Sequence, residues 1–246
     1  MSEEKRGSAS ISGAGTIAGG KYDRVSISGA GKVTGDLVAR ELHVSGTGKV
    51  EGRTEVGRIA ASGVAKFEQD VVAEEISASG AMKVEGSVRV KELKTSGAFK
   101  ATGSIHAEYV RSSGDLHSGG DVEAEIFHAT GGFDIVGLLA ADKIEIRLGG
   151  HCRAREIGGE RIEVRAGAWG EGGFILGALV RAFAAKPVQL TVQLIEGDDV
   201  VLESTTAETV RGKRIEIGPD CHIETVEYSE SLNVHEDAKV ATKRKV

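Results

Sequence analysis

Cysteine and proline are nearly missing from this chain, two of each in 246 residues, and aromatic residues make up only 4%. Two cysteines cannot build a disulfide framework or a four-cysteine zinc knot. The scarcity of aromatics argues against a core of bulky rings. Positive charge is also not in excess: the formal net charge is -6 and the isoelectric point about 5.7, so there is no general field for nucleic acid. No apolar run reaches the length of a membrane span. The longest, 174–185, is short and carries Arg181, while the N-terminal MSEEKRGSAS lacks the apolar centre of a signal peptide. These features predict a cytoplasmic protein, with membrane association limited to peripheral contact at the inner face. Helical periodicity is missing as well, since no stretch of the repeat holds a 3.6-residue spacing of apolar side chains.

What the chain has in abundance is glycine, 35 residues placed at intervals. A Ser-Gly pair recurs at Ser12-Gly13, Ser28-Gly29, Ser45-Gly46, Ser62-Gly63, Ser79-Gly80, Ser96-Gly97 and Ser113-Gly114, with Thr130-Gly131 as a variant; the spacing is 16 once and 17 six times. A 17-residue unit cannot bury an apolar face alone, so each copy is one coil of a stack. Within a coil the apolar residues form three clusters, typified by Val33, Leu37 and Leu42, and alternate with polar neighbours as in Lys49-Val50-Glu51. This is the period of a strand with one wet face. A second set of glycines at Gly19, Gly35, Gly52, Gly86, Gly103, Gly120 and Gly137 separates the clusters. Both sets read as corners where glycine supplies positive φ. The expected fold is all-β: a right-handed three-sided parallel β-helix of about 17 residues per coil with a C-terminal insertion. Left-handed hexapeptide helices keep an 18-residue coil with an aliphatic residue every sixth position, a pattern not sustained here.

The boundaries expected are a disordered tail over 1–10, a β-helix core over 11–164, an irregular insertion over 165–199, C-terminal coils over 200–240 and a basic tail over 241–246. Candidate chemistry is sparse. His151-Cys152 and Cys221-His222 pair residues that suit zinc, but about four coils apart and near inward positions, where a thiol acts as a small hydrophobe. His43, His106, His117 and His128 occupy different outward or corner positions, so no nucleophile, base and orienting acid converge. The GxG units lack the strand, helix and acid of a dinucleotide site. No catalytic, cofactor-binding or metal site is expected, no cofactor and no nucleic-acid partner. A lysine ladder, Lys32, Lys49, Lys66, Lys83 and Lys100, is flanked by Glu51, Glu68 and Glu85 and either docks along another rod or keeps the face soluble.

A stack has two ends with unpaired strand edges and open core, and these direct attention to assembly. Ile11, Ile17 and Val25 at one end and Leu232, Val234 and Val240 at the other are the candidate assembly-interface residues.

The units ISGAGKVTGDLVARELHVSGTGKVEG, with their glycine corners and inward Val, Ile and Leu, resemble the bactofilins, and 195–240 looks like the C-terminal part of the longer bactofilin-like proteins of Gram-positive bacteria. The resemblance implies a bacterial cytoskeletal protein with a right-handed β-helix core that polymerises without nucleotide. It implies a homopolymer, in non-polar filaments or sheets, serving as scaffold for cell-envelope, cell-shape or motility machinery. The interruption near 165–199, the short tails and the absence of the membrane-binding N-terminal segment found in some members depart from the family pattern. Two other classes stay open: a monomeric β-helix binding protein, and a hexapeptide-type acyltransferase, to which Ile217-Gly218-Pro219-Asp220-Cys221-His222-Ile223 bears a local likeness with His222 as base.

Overall fold

The computed structural model describes residues 7–167 and 188–246. It is an all-β parallel solenoid of about 13 turns with about 17 residues per turn. Its strands among the described residues are β1 (Ser8–Ile11), β2 (Ala14–Ile27), β3 (Ala30–Val44), β4 (Thr47–Val50), β5 (Thr54–Ala61), β6 (Val64–Phe67), β7 (Val71–Ala78), β8 (Ala81–Val84), β9 (Val88–Thr95), β10 (Ala98–Ala101), β11 (Ile105–Ser112), β12 (Asp115–Ser118), β13 (Val122–Ala129), β14 (Gly132–Leu148), β15 (Cys152–Ala166), β16 (Leu190–Leu202), β17 (Thr205–Ile217), β18 (His222–Val234) and β19 (Lys239–Lys245). They fall into two compact units, Met1–Glu125 with Ile135–Gly137, and Ile126–Asp134 with Leu138–Val246.

In the first unit each coil carries three paired runs. A four-residue strand such as β4 lies in register on β6, and the eight-residue β5 pairs with β7 over 54–56 and again over 58–61. Gly57 and Glu74, between those runs, have no register partner, and there two outward positions follow each other in place of strict alternation. This interruption recurs at Arg40 and at Lys91 and marks a corner inside the long strand.

The Ser-Gly corner has a different basis from the one expected. Positive φ among the described glycines is confined to Gly20 and Gly35. Instead, a Cβ on Gly29, Gly46, Gly63, Gly80, Gly97 or Gly114 would run into the carbonyl oxygen of the equivalent glycine one coil earlier. Glycine is there because successive corners stack backbone on backbone. The ladder continues around the bend: the Val44 carbonyl accepts from the N–H groups of Ser62 at 2.9 Å and Gly63 at 3.2 Å, and Ala61 accepts from Ser79 and Gly80 in the same way.

The core of this unit balances volume between two facing columns. One column runs Ile11, Ile27, Val44, Ala61, Ala78, Thr95 and Ser112. The other runs Gly15, Gly31, Gly48, Ala65, Met82, Phe99 and Leu116. Where one is large the other is small, so the narrow interior stays filled along the stack. A Cβ at Gly31 would sit 2.6 Å from Ile27 Cγ2, which is why that position holds glycine. Some inward positions are polar: the buried hydroxyls of Thr54, Thr95 and Ser112 have no hydrogen-bond partner.

In the second unit one coil is shorter: Leu190 pairs with Thr205 and Val200 with Ile215, 15 residues apart, before Ile215 pairs with Leu232, 17 apart; Ser204 and Asp220 take positive φ at the bends. β16 continues directly on β15, with Cys152 against Leu190 and Val164 against Leu202. Glu203 closes that junction by accepting from Arg165 at 2.8 Å and from the Ala166 N–H at 2.9 Å. Three boundaries therefore move. The stack resumes at Leu190, not at 200; residues 8–10 belong to β1, not to a tail; and 241–245 belong to β19. Of the expected insertion, 168–187 lies outside the described residues.

Candidate functional site

At the first coil the three candidate residues separate. Val25 is fully buried and Ile11 is 6% exposed, so neither is available for contact. Ile11 tucks its side chain into the room that Gly31 leaves. Ile17 alone is half-buried, although its column partner Val33 is fully enclosed. Tyr22, which the sequence did not single out, lies beside it: half-buried, in the inward column of Ala39, with its hydroxyl donating to the Ala18 carbonyl at 2.8 Å.

At the last coils, Leu232, Val234 and Val240 are all half-buried. They continue the columns of Ile215, Ile217 and Ile223, each of which is at most 4% exposed. Apolar columns thus run to the last described coils and lose their cover there. Lys243, read from the sequence as part of a basic tail, instead lies in β19 as the register partner of the buried Val226.

The lysine ladder is in register from Lys32 to Lys100 and continues to His117. Stacked ammonium groups stay compatible because the carboxylates interleave. Glu51 meets Lys32 at 2.7 Å and Lys49 at 3.3 Å, Glu68 meets Lys49 at 2.9 Å, and Glu85 meets Lys66 at 3.8 Å. Hydrogen bonding to Lys32 above all holds the Glu51 carboxyl below the ordinary carboxylate range, and Lys49 does the same for Glu68. The face is internally paired. In the second unit, charge alternates along columns: Arg211 bridges Glu196 at 3.2 Å and Glu227 at 2.9 Å, and Arg214 bridges Asp199 and Glu230.

Cys152 pairs with Leu190 and Leu190 with Thr205, and Cys221 precedes His222, the partner of Thr206, so the two cysteines lie about three coils apart. At ~4.8 Å per coil their sulfurs cannot share a metal ion. Both are free and buried, and burial pushes each thiol up to about 11. The histidines make separate surface pairs, His106 with Glu123 at 3.1 Å and His128 with Glu145 at 3.3 Å. Among the described residues no three His, Cys, Asp or Glu side chains group as metal ligands, and no helix is long and apolar enough to cross a membrane.

The class defined by these observations is a parallel β-solenoid whose core columns are uncovered at its first and last described coils. No family model matches the chain, and no solved structure matches it significantly. It is similar to YhbE, an uncharacterized protein of Bacillus subtilis strain 168, at 44% identity over 113 residues, covering 46% of this chain and 44% of YhbE. YhbF of the same organism, also uncharacterized, is 35% identical over 111 residues, covering 45% of this chain and 42% of YhbF. The chain therefore spans less than half the length of these curated relatives.

Proposed function

We propose that the chain is a structural scaffold of the bactofilin type, whose copies join coil on coil without nucleotide to build filaments or sheets in support of envelope, shape or motility machinery. The observation that carries this reading is the exposure of Ile17 in a column that is otherwise sealed from Val33 onward. Covering that position with another coil removes apolar surface from water and pairs the free edge of the strand, two favourable terms at one site. A second copy supplies a coil of the right width, because a solenoid edge is complementary to another solenoid edge.

The test is sedimentation of the chain in nucleotide-free buffer, beside Ile17→Lys. Association that Ile17→Lys abolishes, with the β signature in circular dichroism unchanged, supports the scaffold. A sharp monomer at the highest attainable concentration overturns it and leaves the monomeric binding protein as the better reading.

A further inference from the structure

The internal pairing of the lysine ladder ends before the ladder does. Lys83 meets Glu85, but the next coil has Thr102 where that glutamate would stand. Lys100 is exposed there and is in no ion pair among the described residues. From Lys32 to Lys100 the face thus carries five ammonium groups against the three carboxylates of Glu51, Glu68 and Glu85, a positive excess on a chain of net charge -6.

The far side of the same coils has the reverse sign. The ladder lies on the short run, and a coil of three runs sets the corner between its other two runs across from it. At that corner, where Gly57 carries no side chain, runs a groove of about 650 Å³ lined by five carboxylates, Glu41, Glu74, Glu75, Glu92 and Glu108, against three basic side chains. Arg58 meets Glu75 at 3.4 Å and Lys91 meets Glu74 at 3.8 Å. Glu108 is exposed and is in no ion pair among the described residues. Next to it stands Tyr109, 46% exposed, in a chain with three tyrosines. Lys100 and Glu108, the uncompensated charges of the two faces, belong to one coil, which passes from β10 into β11.

We propose that these two faces form the lateral contact of the assembly, each copy laying its lysine ladder along the acidic groove of the next. The occupant of the groove is a second copy because ladder and groove are cut from the same coils, so their charges advance together, ~4.8 Å at a time. Side by side without stagger, Lys66 comes to the coil of Glu74 and Glu75, and Lys83 to that of Glu92. Lys100 comes to Glu108 and Tyr109, where the ring holds an ammonium group as well as the carboxylate does. The two faces are opposite and unlike, so every copy keeps one of each to offer and the contact repeats without closing. This rests on the scaffold reading above and gives its sheets their sideways direction. Exposed ion pairs contribute little singly; the contact sets register and gains strength along joined copies.

Carbodiimide cross-linking of the whole chain tests this, with unlabelled and isotope-labelled protein mixed so that links between copies are told from links within one. At low salt, links between copies should join Lys66, Lys83 or Lys100 to Glu74, Glu75, Glu92 or Glu108, and they should be lost at ~1 M salt, where the screening length falls to ~3 Å. Links between Lys49 and Glu68 of one copy report that the reaction worked. Lys100→Glu and Glu108→Lys should each cut the link from Lys83 to Glu92 several-fold. The double variant, which exchanges the two charges, should regain it, with circular dichroism as the check on folding. Links confined to single copies would overturn the lateral contact, and filaments seen beside them by negative-stain microscopy would leave the scaffold reading standing. Links between the two faces in a chain that forms no filaments would support the lateral contact and overturn the coil-on-coil joining. A double variant that stays unlinked would overturn the match of Lys100 to Glu108.

Discussion

Replacing Val44 and Gly48 together should damage the protein less than replacing either alone. A Cβ at Gly48 would lie 3.0 Å and 3.2 Å from the two γ-carbons of Val44 and 3.3 Å from Ile27 Cδ1, and the backbone there is not in the left-handed region, so crowding is the whole penalty of Gly48→Ala. Overpacking of this kind costs ~1–3 kcal/mol. Val44 is 1% exposed, and Val44→Ala removes two methyl groups from a filled site. At ~0.8 kcal/mol each, plus the cavity left behind, that costs ~2–3 kcal/mol. The double variant recreates the Ala61 and Ala65 pair found one coil later, both buried, and has lost a net single carbon. It should be destabilised by only ~1 kcal/mol. Urea denaturation of all four proteins, followed by circular dichroism, gives the cycle. A coupling of ~2 kcal/mol or more in favour of the double variant is expected, whereas additivity within ~0.5 kcal/mol would refute the volume-balance reasoning.

Thr54→Val should stabilise the chain by ~1 kcal/mol, because it trades a buried hydroxyl without a partner for a methyl group of the same shape; a lower denaturation midpoint would show that the hydroxyl is satisfied. Gly63→Ala should destabilise by ~3 kcal/mol or more, where an ordinary strand glycine replaced by alanine gains ~0.5–1 kcal/mol, since its Cβ collides with the Gly46 carbonyl, and a neutral effect in thermal melts would contradict the corner-stacking account. Cys152 and Cys221 should resist a thiol reagent at pH 8 until the protein unfolds. Their thiols are raised from the ordinary 9.0 to about 11, so the folded state disfavours the thiolate: the stability they contribute is complete below pH 9 and is lost as pH rises through about 11. The pH slope of the denaturation midpoint in that window should flatten in Cys152→Ala/Cys221→Ala, and an unchanged slope would assign it to other groups.

The coil length and the inward columns were legible because a solenoid repeats its own evidence: Leu42, Ile59, Ile76 and Leu93 recur at one phase and meet in one register. The reason for the Ser-Gly beat was not legible in the same way. One coil taken alone suggests a glycine chosen for its φ, whereas the constraint on Gly63 comes from Gly46 one coil away, a distance that no local pattern contains. The return of the stack at Leu190 was missed because the coil from Leu190 to Thr205 has 15 residues, so a 17-residue template regains its phase only where Ile215 meets Leu232. At the ends, Val25 and Ile11 were nominated by position but are covered by their own neighbours. Lys243 was passed over because its basic neighbours look like a solubilising tail until the register sets it against Val226.

Concentration-dependent hydrogen exchange at the two ends tests the central claim most directly, since it reports which backbone amides become covered when copies meet. The account predicts that peptides within 8–22, which hold Ile17, gain protection as concentration rises. Exchange at 8–22 that is the same at every concentration would contradict it.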